Sequence, residues 1–274
     1  MTQSVLVNGT TLTYVAQGTG PAVLFVHGSL DDFRSWRYQM EPFAARYRAV
    51  AYSRRYHYPN PWTGDGSDYA AQLHADDLAA LIEALDLAPA HLVTSSYGGN
   101  IALHLTARRP ELVRSLVLCE PPLLPWLTHL EGGPPLWQHF VEQVWLPARR
   151  AFEVGDLEAG ARAFLDGVMS RPTFAHLNPR ARAMIMDNAP EMRAETLASD
   201  YFPPFTCADA RRIQQPVLLL KSELGPRVFH LIVDELCRCL PHAVCGVIPG
   251  ASHAMHIGNP SAFNQTVLAF LQGC

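Results

Sequence analysis

Residues 91–100 read HLVTSSYGGN, and this stretch indicates how the chain folds. A short apolar run at 92–93 precedes a serine among small residues, and a helical pattern starts at 101. A strand, a tight turn that exposes a serine and a helix make up a nucleophile elbow, in which the serine has a strained backbone. A plain Gly-Gly turn between strand and helix is the alternative interpretation.

The positions two residues away from the nucleophile decide which serine lies in the turn. Both positions must be small, because the strand and the helix cross closely there. If Ser96 is the nucleophile, these positions hold Thr94 and Gly98. Ser95 in that role would place the bulky Tyr97 at one of them. We therefore predict Ser96 as the nucleophile, with Thr94 where glycine is commoner.

Apolar runs alternate with helical patterns over most of the chain. The runs predict buried strands at 22–26, 47–52, 91–93, 113–119, 216–220 and 243–248, and the helical patterns cover 69–87, 228–240 and 260–271. A hairpin with an Asn-Gly turn comes first, at 5–15. This order predicts an α/β fold, with a mostly parallel, doubly wound sheet and helices on both faces.

The middle of the chain departs from this pattern. After Pro121-Pro122 no strand is predicted before Cys207, and amphipathic stretches lie at 136–151, 157–169 and 179–186. We expect a core made of residues 1–120 and 208–274, with residues 121–207 inserted as a helical cap.

Composition and charge exclude several classes of protein. The 274 residues are 49% hydrophobic and 17% charged, as in a globular protein, and the net charge of −4 does not favour nucleic acid as a partner. The N-terminus lacks a signal-peptide pattern, and no apolar run approaches the ~20 residues that span a bilayer. We expect a cytoplasmic protein without membrane or nucleic-acid partners; a monomer and a homodimer both stay open. The six cysteines lack zinc-site spacing, which favours buried free thiols and no metal.

Three motifs, taken in order, resemble those of the α/β-hydrolase superfamily, and specifically of its cap-bearing serine hydrolases. They are VHGS at 26–29, TSSYGG at 94–99 and PGASH at 249–253, each at the end of a predicted strand. The resemblance covers the predicted core. It implies a serine nucleophile, a base after the last strand and an oxyanion hole formed by the backbone N–H groups of Ser29 and Tyr97.

A serine hydroxyl needs a base within hydrogen-bonding reach, because it is hardly ionised at neutral pH. His253 is the best of the twelve histidines, since it follows the last strand, where a sheet presents groups at its carboxyl edge. His256 is its rival, three residues further on, and suits a supporting role.

The acid of the triad departs from the usual pattern of the superfamily. The expected Asp position, after the strand at 217–220, holds Gly225. Glu120 instead ends the strand that follows the elbow helix, 24 residues after Ser96. Zearalenone-type lactonases, and one group of haloalkane dehalogenases, take their acid from that strand end. We predict Glu120 as the acid and keep Glu223 as the alternative; a buried carboxylate needs a partner.

The resemblance implies hydrolysis of a small, largely apolar carboxylic ester or lactone through an acyl-enzyme on Ser96, without a cofactor. A serine nucleophile argues against epoxide hydrolase and dehalogenase chemistry. Carbon–carbon bond hydrolysis or lysis, and a non-catalytic ligand-binding module, are the alternatives. The candidate pocket residues are Trp36, Trp126, Trp137 and His256. The aromatic, basic loop at 53–59 is expected to have a structural role, and lining the pocket entrance is the alternative.

Overall fold

The computed structural model describes residues 1–199 and 202–274. Its strands are β1 (Gln3–Val7), β2 (Thr10–Gln17), β3 (Ala22–Val26), β4 (Arg48–Tyr52), β5 (Ala90–Ser95), β6 (Val113–Cys119), β7 (Val217–Ser222) and β8 (Val244–Ile248). They form one sheet in the order β1-β2-β4-β3-β5-β6-β7-β8. Strand β2 is antiparallel to β1 and β4, and the other neighbours are parallel. The predicted α/β fold with a mostly parallel sheet is confirmed.

Helices cover both faces of this sheet. They are α1 (Arg37–Ala44), α2 (Ala71–Ala84), α3 (Tyr97–Arg108), α4 (Gly133–Phe140), α5 (Leu146–Glu153), α6 (Leu157–Val168), α7 (Pro179–Asp187), α8 (Ala189–Leu197), α9 (Cys207–Ala210), α10 (Arg227–Cys239), α11 (Met255–Gly258) and α12 (Pro260–Leu271). Helices α4 to α9 lie between β6 and β7, and we call residues 121–207 the cap. Among the described residues, no helix combines the length and apolarity needed to cross a membrane.

The continuous apolar run of β3 is explained by burial on both sides. Successive side chains of a strand point to opposite faces. Phe25 packs in one core with residues of α1 and α12, whereas Leu24 packs in the other core with residues of α2, α3 and α10. The strand therefore needs apolar residues at every position rather than at alternate ones.

The parallel register brings the ends of three strands to one edge. Ser95 of β5 pairs with Cys119 of β6, which in turn pairs with Leu220 of β7. Ser96 directly follows β5 and Glu120 directly follows β6, so the two residues lie side by side at this edge of the sheet. Their backbone N–H groups continue the ladder: Ser96 donates to the carbonyl of Cys119 (2.9 Å), and Glu120 donates to that of Leu220 (3.2 Å).

The expectation of free thiols is wrong for four of the six cysteines. Cys207 is bonded to Cys239, and Cys237 to Cys245. Helix α10 supplies one partner of each pair, whereas α9 supplies the second cysteine of the first pair and β8 that of the second. The spacing of the cysteines could not show this, since the first pair is separated by 32 residues. Cys119 is free and buried.

Gly98 marks the closest approach between the elbow helix and the sheet. A Cβ atom at this position would lie 2.4 Å from the carbonyl oxygen of Val26 and 2.7 Å from that of His27. Both contacts are with backbone, which cannot move away as the end of a side chain can. Only glycine allows α3 to begin directly over the end of β3.

We expect Gly98→Ala to lower the free energy of unfolding by roughly 1–3 kcal/mol, because the added methyl group forces β3 and α3 apart. Urea denaturation measures the change. Gly258→Ala is the matched control: it also lies in a helix, but its Cβ would meet nothing closer than 3.7 Å. Equal stability of the two variants would contradict the prediction.

Candidate active site

Ser96 occupies the sharp turn between β5 and α3. Its backbone lies at φ 50° and ψ −122°, in the left-handed half of conformational space that costs a non-glycine residue energy. The side chain of Thr94, at the position where glycine is commoner, donates a hydrogen bond to the carbonyl of Val117 in β6 (2.9 Å). The threonine is accommodated because its hydroxyl has this partner. The predicted strand, turn and helix around Ser96 are therefore present.

His253 and Glu120 are hydrogen-bonded. Nδ1 of His253 lies 2.6 Å from Oε2 of Glu120, and both side chains are buried. Because a carboxylate only accepts, Nδ1 carries the hydrogen of the neutral imidazole, which leaves Nε2 as its basic nitrogen. The ring of Phe229 stacks on the imidazole at 4.1 Å between centroids. The imidazole is thus held both at its edge and on its face.

Glu120 is fully buried, yet its surroundings keep it ionised. Its Oε1 accepts hydrogen bonds from the backbone N–H of Ser222 (2.8 Å) and from the hydroxyl of that residue (2.6 Å), and His230 Nε2 lies 3.5 Å away. Burial alone would raise the pKa of Glu120. The nearby imidazole of His230, together with hydrogen bonds from His253 and Ser222, outweighs burial and lowers the pKa to about 2.

Gly225, which stands where an Asp is usual, leaves space for Glu120. A Cβ atom at this position would lie 2.0 Å from the hydroxyl oxygen of Ser222, 2.8 Å from Oε1 of Glu120 and 3.0 Å from Nε2 of His230. The carboxylate from β6 therefore occupies the volume that a side chain from the loop after β7 would need. The two acid positions exclude each other in this geometry.

The alternative acid, Glu223, has a different partner. Its side chain is exposed, and its Oε2 accepts a hydrogen bond from the backbone N–H of Gly250 (2.7 Å). The structure thus places Glu120, and not Glu223, against His253. Glu223 instead ties the loop after β7 to the turn that follows β8.

The four candidate pocket residues have different positions. His256 lines the cavity at Ser96, and burial lowers its pKa to about 3. Trp36 does not reach that cavity: it is fully buried in the core and stacks on the His256 ring at 4.2 Å. Trp126 lines a separate cavity of about 250 Å³, and Trp137 packs at the margin of the core. Trp36 packs in the core with Phe25 instead, and neither Trp36 nor Trp137 lines the cavity at Ser96.

The cavity at Ser96 lies between the sheet edge and the cap. Its volume is about 110 Å³. Ser29, Ser96, His253 and His256 contribute from the core, and apolar residues of the cap form the roof: Phe164, Leu165, Val168, Met169, Met184 and Ile185. Within residues 1–199 and 202–274, no group of three or more His, Cys, Asp or Glu side chains is arranged to bind a metal ion.

The loop after β4 braces the turn that contains Gly28. The backbone N–H of Arg54 donates to Nε2 of His27 (2.9 Å), and the guanidinium of Arg54 donates to the carbonyl oxygens of His27 (3.2 Å) and Gly28 (3.1 Å). The structural role that was expected for this loop is therefore accounted for by hydrogen bonds to the turn before Ser29.

Sequence reasoning missed a buried polar cluster between this loop and the cap. Glu191 and Glu195 of α8 are both buried, and so are Arg54 and His57. The Ser29 hydroxyl donates to Oε1 of Glu195 (3.0 Å). The spacing of the two glutamates, four residues apart on one helix face, was the only signal. The same spacing is usual on solvent-exposed helices, so it could not show burial.

Comparison with known proteins agrees with this fold. A family model described as the alpha/beta hydrolase fold matches residues 21–260. The chain belongs to the alpha/beta hydrolase family, and the protein is a hydrolase of that fold.

Several relatives extend over nearly the whole chain. A putative non-heme bromoperoxidase of Mycobacterium tuberculosis is 38% identical, over 94% of this chain and 97% of its own length. The 2-(acetamidomethylene)succinate hydrolase of Mesorhizobium japonicum is 27% identical, over 95% of this chain and 91% of its own. Among solved structures, the enol-lactonase of Burkholderia xenovorans aligns with a TM-score of 0.79 at 21% identity, over 98% of this chain and 100% of that one. The last comparison supports the fold alone.

The low pKa of Glu120 predicts a measurable loss of stability in acid. The pKa of a glutamate is ordinarily 4.5, and here it is about 2. The ionised carboxylate therefore stabilises the fold above pH 4.5, and this contribution is lost as the pH falls towards 2. Between pH 6 and pH 3 we expect the free energy of unfolding to fall by about 2 kcal/mol more in the wild type than in Glu120→Gln. Urea unfolding across this range measures it, with the exposed Glu223→Gln as the control. Parallel curves for the wild type and Glu120→Gln would contradict the low pKa of Glu120.

Proposed function

We propose that the protein hydrolyses a small, uncharged carboxylic ester or lactone through an acyl-enzyme on Ser96. The observation that carries this proposal is the 2.6 Å contact between His253 Nδ1 and Glu120 Oε2, at the sheet edge where Ser96 lies. It orients a basic imidazole nitrogen in the cavity that Ser96 also lines. Nucleophile, base and acid then follow the chain order Ser-Glu-His.

In the proposed reaction, Nε2 of His253 takes the hydroxyl proton of Ser96 as the oxygen attacks the carbonyl carbon of the substrate. The carboxylate of Glu120 stabilises the imidazolium that forms. The imidazolium then returns its proton to the departing alkoxide oxygen. Water attacks the acyl-enzyme in the second half, with His253 again accepting a proton, and releases the acid and free Ser96.

The carbonyl oxygen becomes negatively charged when Ser96 attacks, and hydrogen-bond donors must stabilise that charge. We assign this role to the backbone N–H groups of Ser29 and Tyr97. Tyr97 is the first residue of α3, where the helix dipole adds positive potential. Ser29 follows Gly28, and a Cβ atom added at Gly28 would lie 3.0 Å from the Cβ atom of Ser96. Removing one oxyanion donor typically costs ~3 kcal/mol of transition-state stabilisation.

The cavity favours a small, apolar substrate without a charge. Its volume of about 110 Å³ is small beside the ~300–1,000 Å³ of pockets for drug-sized ligands. The described residues that line it include no arginine or lysine, so they offer no clamp for an anion. The cap contributes aliphatic, thioether and phenyl surface.

The names of the relatives do not decide the reaction by themselves. They include an epoxide hydrolase of mouse, which is 24% identical over 97% of this chain, and the bromoperoxidase and hydrolase described above. A nucleophilic serine supports acyl transfer, because epoxide hydrolysis through an alkyl-ester intermediate needs a carboxylate at that position. The chemistry of the site therefore favours an ester or lactone.

Variants of Glu120 and Glu223 test whether the acid of the triad follows β6 or β7. We expect Glu120→Gln to lower kcat at least ~1,000-fold, because an amide that replaces the acid no longer holds the imidazole in the reactive tautomer. Glu223→Gln should stay within about threefold of the wild type, since its bond to Gly250 lies outside the triad. Steady-state hydrolysis of a p-nitrophenyl ester measures both. The reverse order of losses would contradict Glu120 as the acid.

Labelling tests the nucleophile independently of the substrate. A fluorophosphonate probe should modify wild-type protein at Ser96 and fail to modify Ser96→Ala, with Ser95→Ala labelled as the wild type is. Turnover of short-chain p-nitrophenyl esters and of lactones of increasing ring size should disappear with Ser96→Ala. A protein that takes the probe but cleaves no ester or lactone would favour carbon–carbon bond chemistry, and the absence of labelling would favour a binding module.

A further inference from the structure

A carboxyl group of the cap contacts the loop that we assign to the oxyanion hole. Oε1 of Glu195, in α8, accepts a hydrogen bond from the hydroxyl of Ser29 (3.0 Å). A small cavity is lined by Ser29, Ser96, Tyr97 and Glu195 together, beside apolar residues of the cap. Glu195 is the only ionisable carboxyl group among the described residues that line this cavity. The contact is therefore within the catalytic region and not at the cap surface.

The next residue of the loop lies beside the same helix. The backbone of Leu30 is close to Glu191, one helical turn before Glu195. Leu30 has a φ of 55°, a left-handed conformation that a leucine adopts only when its surroundings enforce it. Helix α8 thus lies against two consecutive residues of the strained loop, and its Glu195 provides the acceptor for the first of them.

Tyr69 orders the protons between the two carboxyl groups. Its phenol oxygen lies 2.6 Å from Oε1 of Glu191 and 3.0 Å from Oε2 of Glu195. The phenol has one hydrogen, which it can donate to only one of the two carboxyl groups. Both contacts are satisfied when Glu195 carries a proton on Oε2 and donates it to the phenol oxygen, while the phenol donates to Glu191. Oε1 of Glu195 then stays free to accept from Ser29.

The charges around Glu195 are consistent with this arrangement. Burial, and then the neighbouring Glu191, raise the pKa of Glu195 to about 8, although Arg54 opposes the shift. Burial raises the pKa of Glu191 as well. Nη2 of Arg54 lies 3.9 Å from Oε1 of Glu191. Nε2 of His57 lies 3.0 Å from the same oxygen, but this imidazole adds no charge, because burial lowers its pKa well below the ordinary value. Arg54 therefore faces Glu191 first, and Glu195 is the carboxyl group left to hold a proton.

We propose that Glu195 is a positioning residue, which holds Ser29 so that its backbone N–H points towards the substrate oxygen while α8 is seated on the core. This inference rests on the function proposed above. It makes the cap part of the catalytic machinery: a cap that lifts away removes the acceptor of Ser29, so an open site would bind the oxyanion weakly. Water that enters the open site would then meet an incomplete catalytic centre.

A purely structural role, in which Glu195 only attaches the cap, predicts different behaviour. Asn188 provides the comparison, because it also joins the cap to the core. Its Nδ2 donates to Oδ2 of Asp32 (2.7 Å), and its Oδ1 accepts from the backbone N–H of Tyr58 (2.9 Å). Neither bond involves Ser29, Leu30 or the two glutamates. Asn188→Ala therefore removes about as many bonds between cap and core but leaves the acceptor of Ser29 in place.

The experiment compares Glu195→Ala, Glu195→Gln, Ser29→Ala, the double variant Glu195→Ala/Ser29→Ala and Asn188→Ala, with a p-nitrophenyl ester as substrate and thermal unfolding as a check of the fold. We expect Glu195→Ala to lower kcat about 10–100-fold, with KM within about threefold, because oxyanion contacts act on the transition state. The double variant should lose no more than the worse single variant. Asn188→Ala should lower Tm as much as Glu195→Ala but keep kcat within about threefold.

Glu195→Gln provides the conservative rescue. Its carbonyl oxygen can accept from Ser29 and its amide can donate to Tyr69, as a protonated carboxyl group does, so kcat should stay within about threefold at pH 7. Wild-type kcat should fall as the pH rises above about 8, when Glu195 loses its proton and two carboxylates compete for one phenol hydrogen. The profile of Glu195→Gln should lack this fall. Superimposable profiles would contradict a proton on Glu195.

Two results would overturn the proposal. Losses of kcat that multiply in the double variant would show that Glu195 and Ser29 act independently. An equal loss of kcat in Asn188→Ala and Glu195→Ala would show that Glu195 only attaches the cap. A wild type that hydrolyses no ester or lactone contradicts the proposed function instead, and the wild-type rate is measured before any variant is compared.

Discussion

A carboxylate without solvent contact stays ionised only where hydrogen-bond donors surround it, and the whole site depends on how Glu120 meets this condition. The loop after β7 supplies a backbone N–H and a hydroxyl through Ser222, and α10 brings His230 near the same oxygen. The other oxygen is left for His253. If Glu120 were neutral, it would neither fix the tautomer of the imidazole nor stabilise its protonated form. Segments from three parts of the chain therefore converge on one side chain.

Adjacent parallel strands explain how a carboxylate that follows β6, rather than one that follows β7, contacts His253. Cys119 and Leu220 are paired in register, so residues that follow either strand enter the same small volume. Gly225 leaves that volume open on the β7 side, and the φ of 47° at Glu120 turns the chain as it leaves β6. The imidazole can be reached from either strand, but only one side chain fits.

The cap has a second physical role besides enclosing the cavity. The apolar surface of α6 and α7 forms the roof of the cavity at Ser96. Helix α8 contributes buried carboxyl groups, one of which accepts the hydrogen bond of Ser29. A buried acidic pair is costly unless cations, donors and shared protons compensate for it. Arg54, Tyr69 and Ser29 provide these compensations. Ser29 lines the cavity at Ser96, and Arg54 and Tyr69 pack against Tyr97. The cost of burial thus ties the position of the cap to the geometry of the loop.

The sequence by itself determined the parts of the site that follow from local pattern. The small residues around Ser96 identified the turn, the apolar runs identified the buried strands, and the glycine at 225 pointed to Glu120. The turn and the strands could be inferred because a strained turn and a doubly covered strand restrict the residues at each position. The structure alone decided which residues meet across long separations. The contact of Glu195 with Ser29, the two disulfides and the burial of Trp36 all depend on how helices pack. The sequence of a helix with two glutamates four residues apart does not show whether that pair is exposed or buried. Local pattern specifies the conformation of a segment; packing between distant segments decides what its side chains touch.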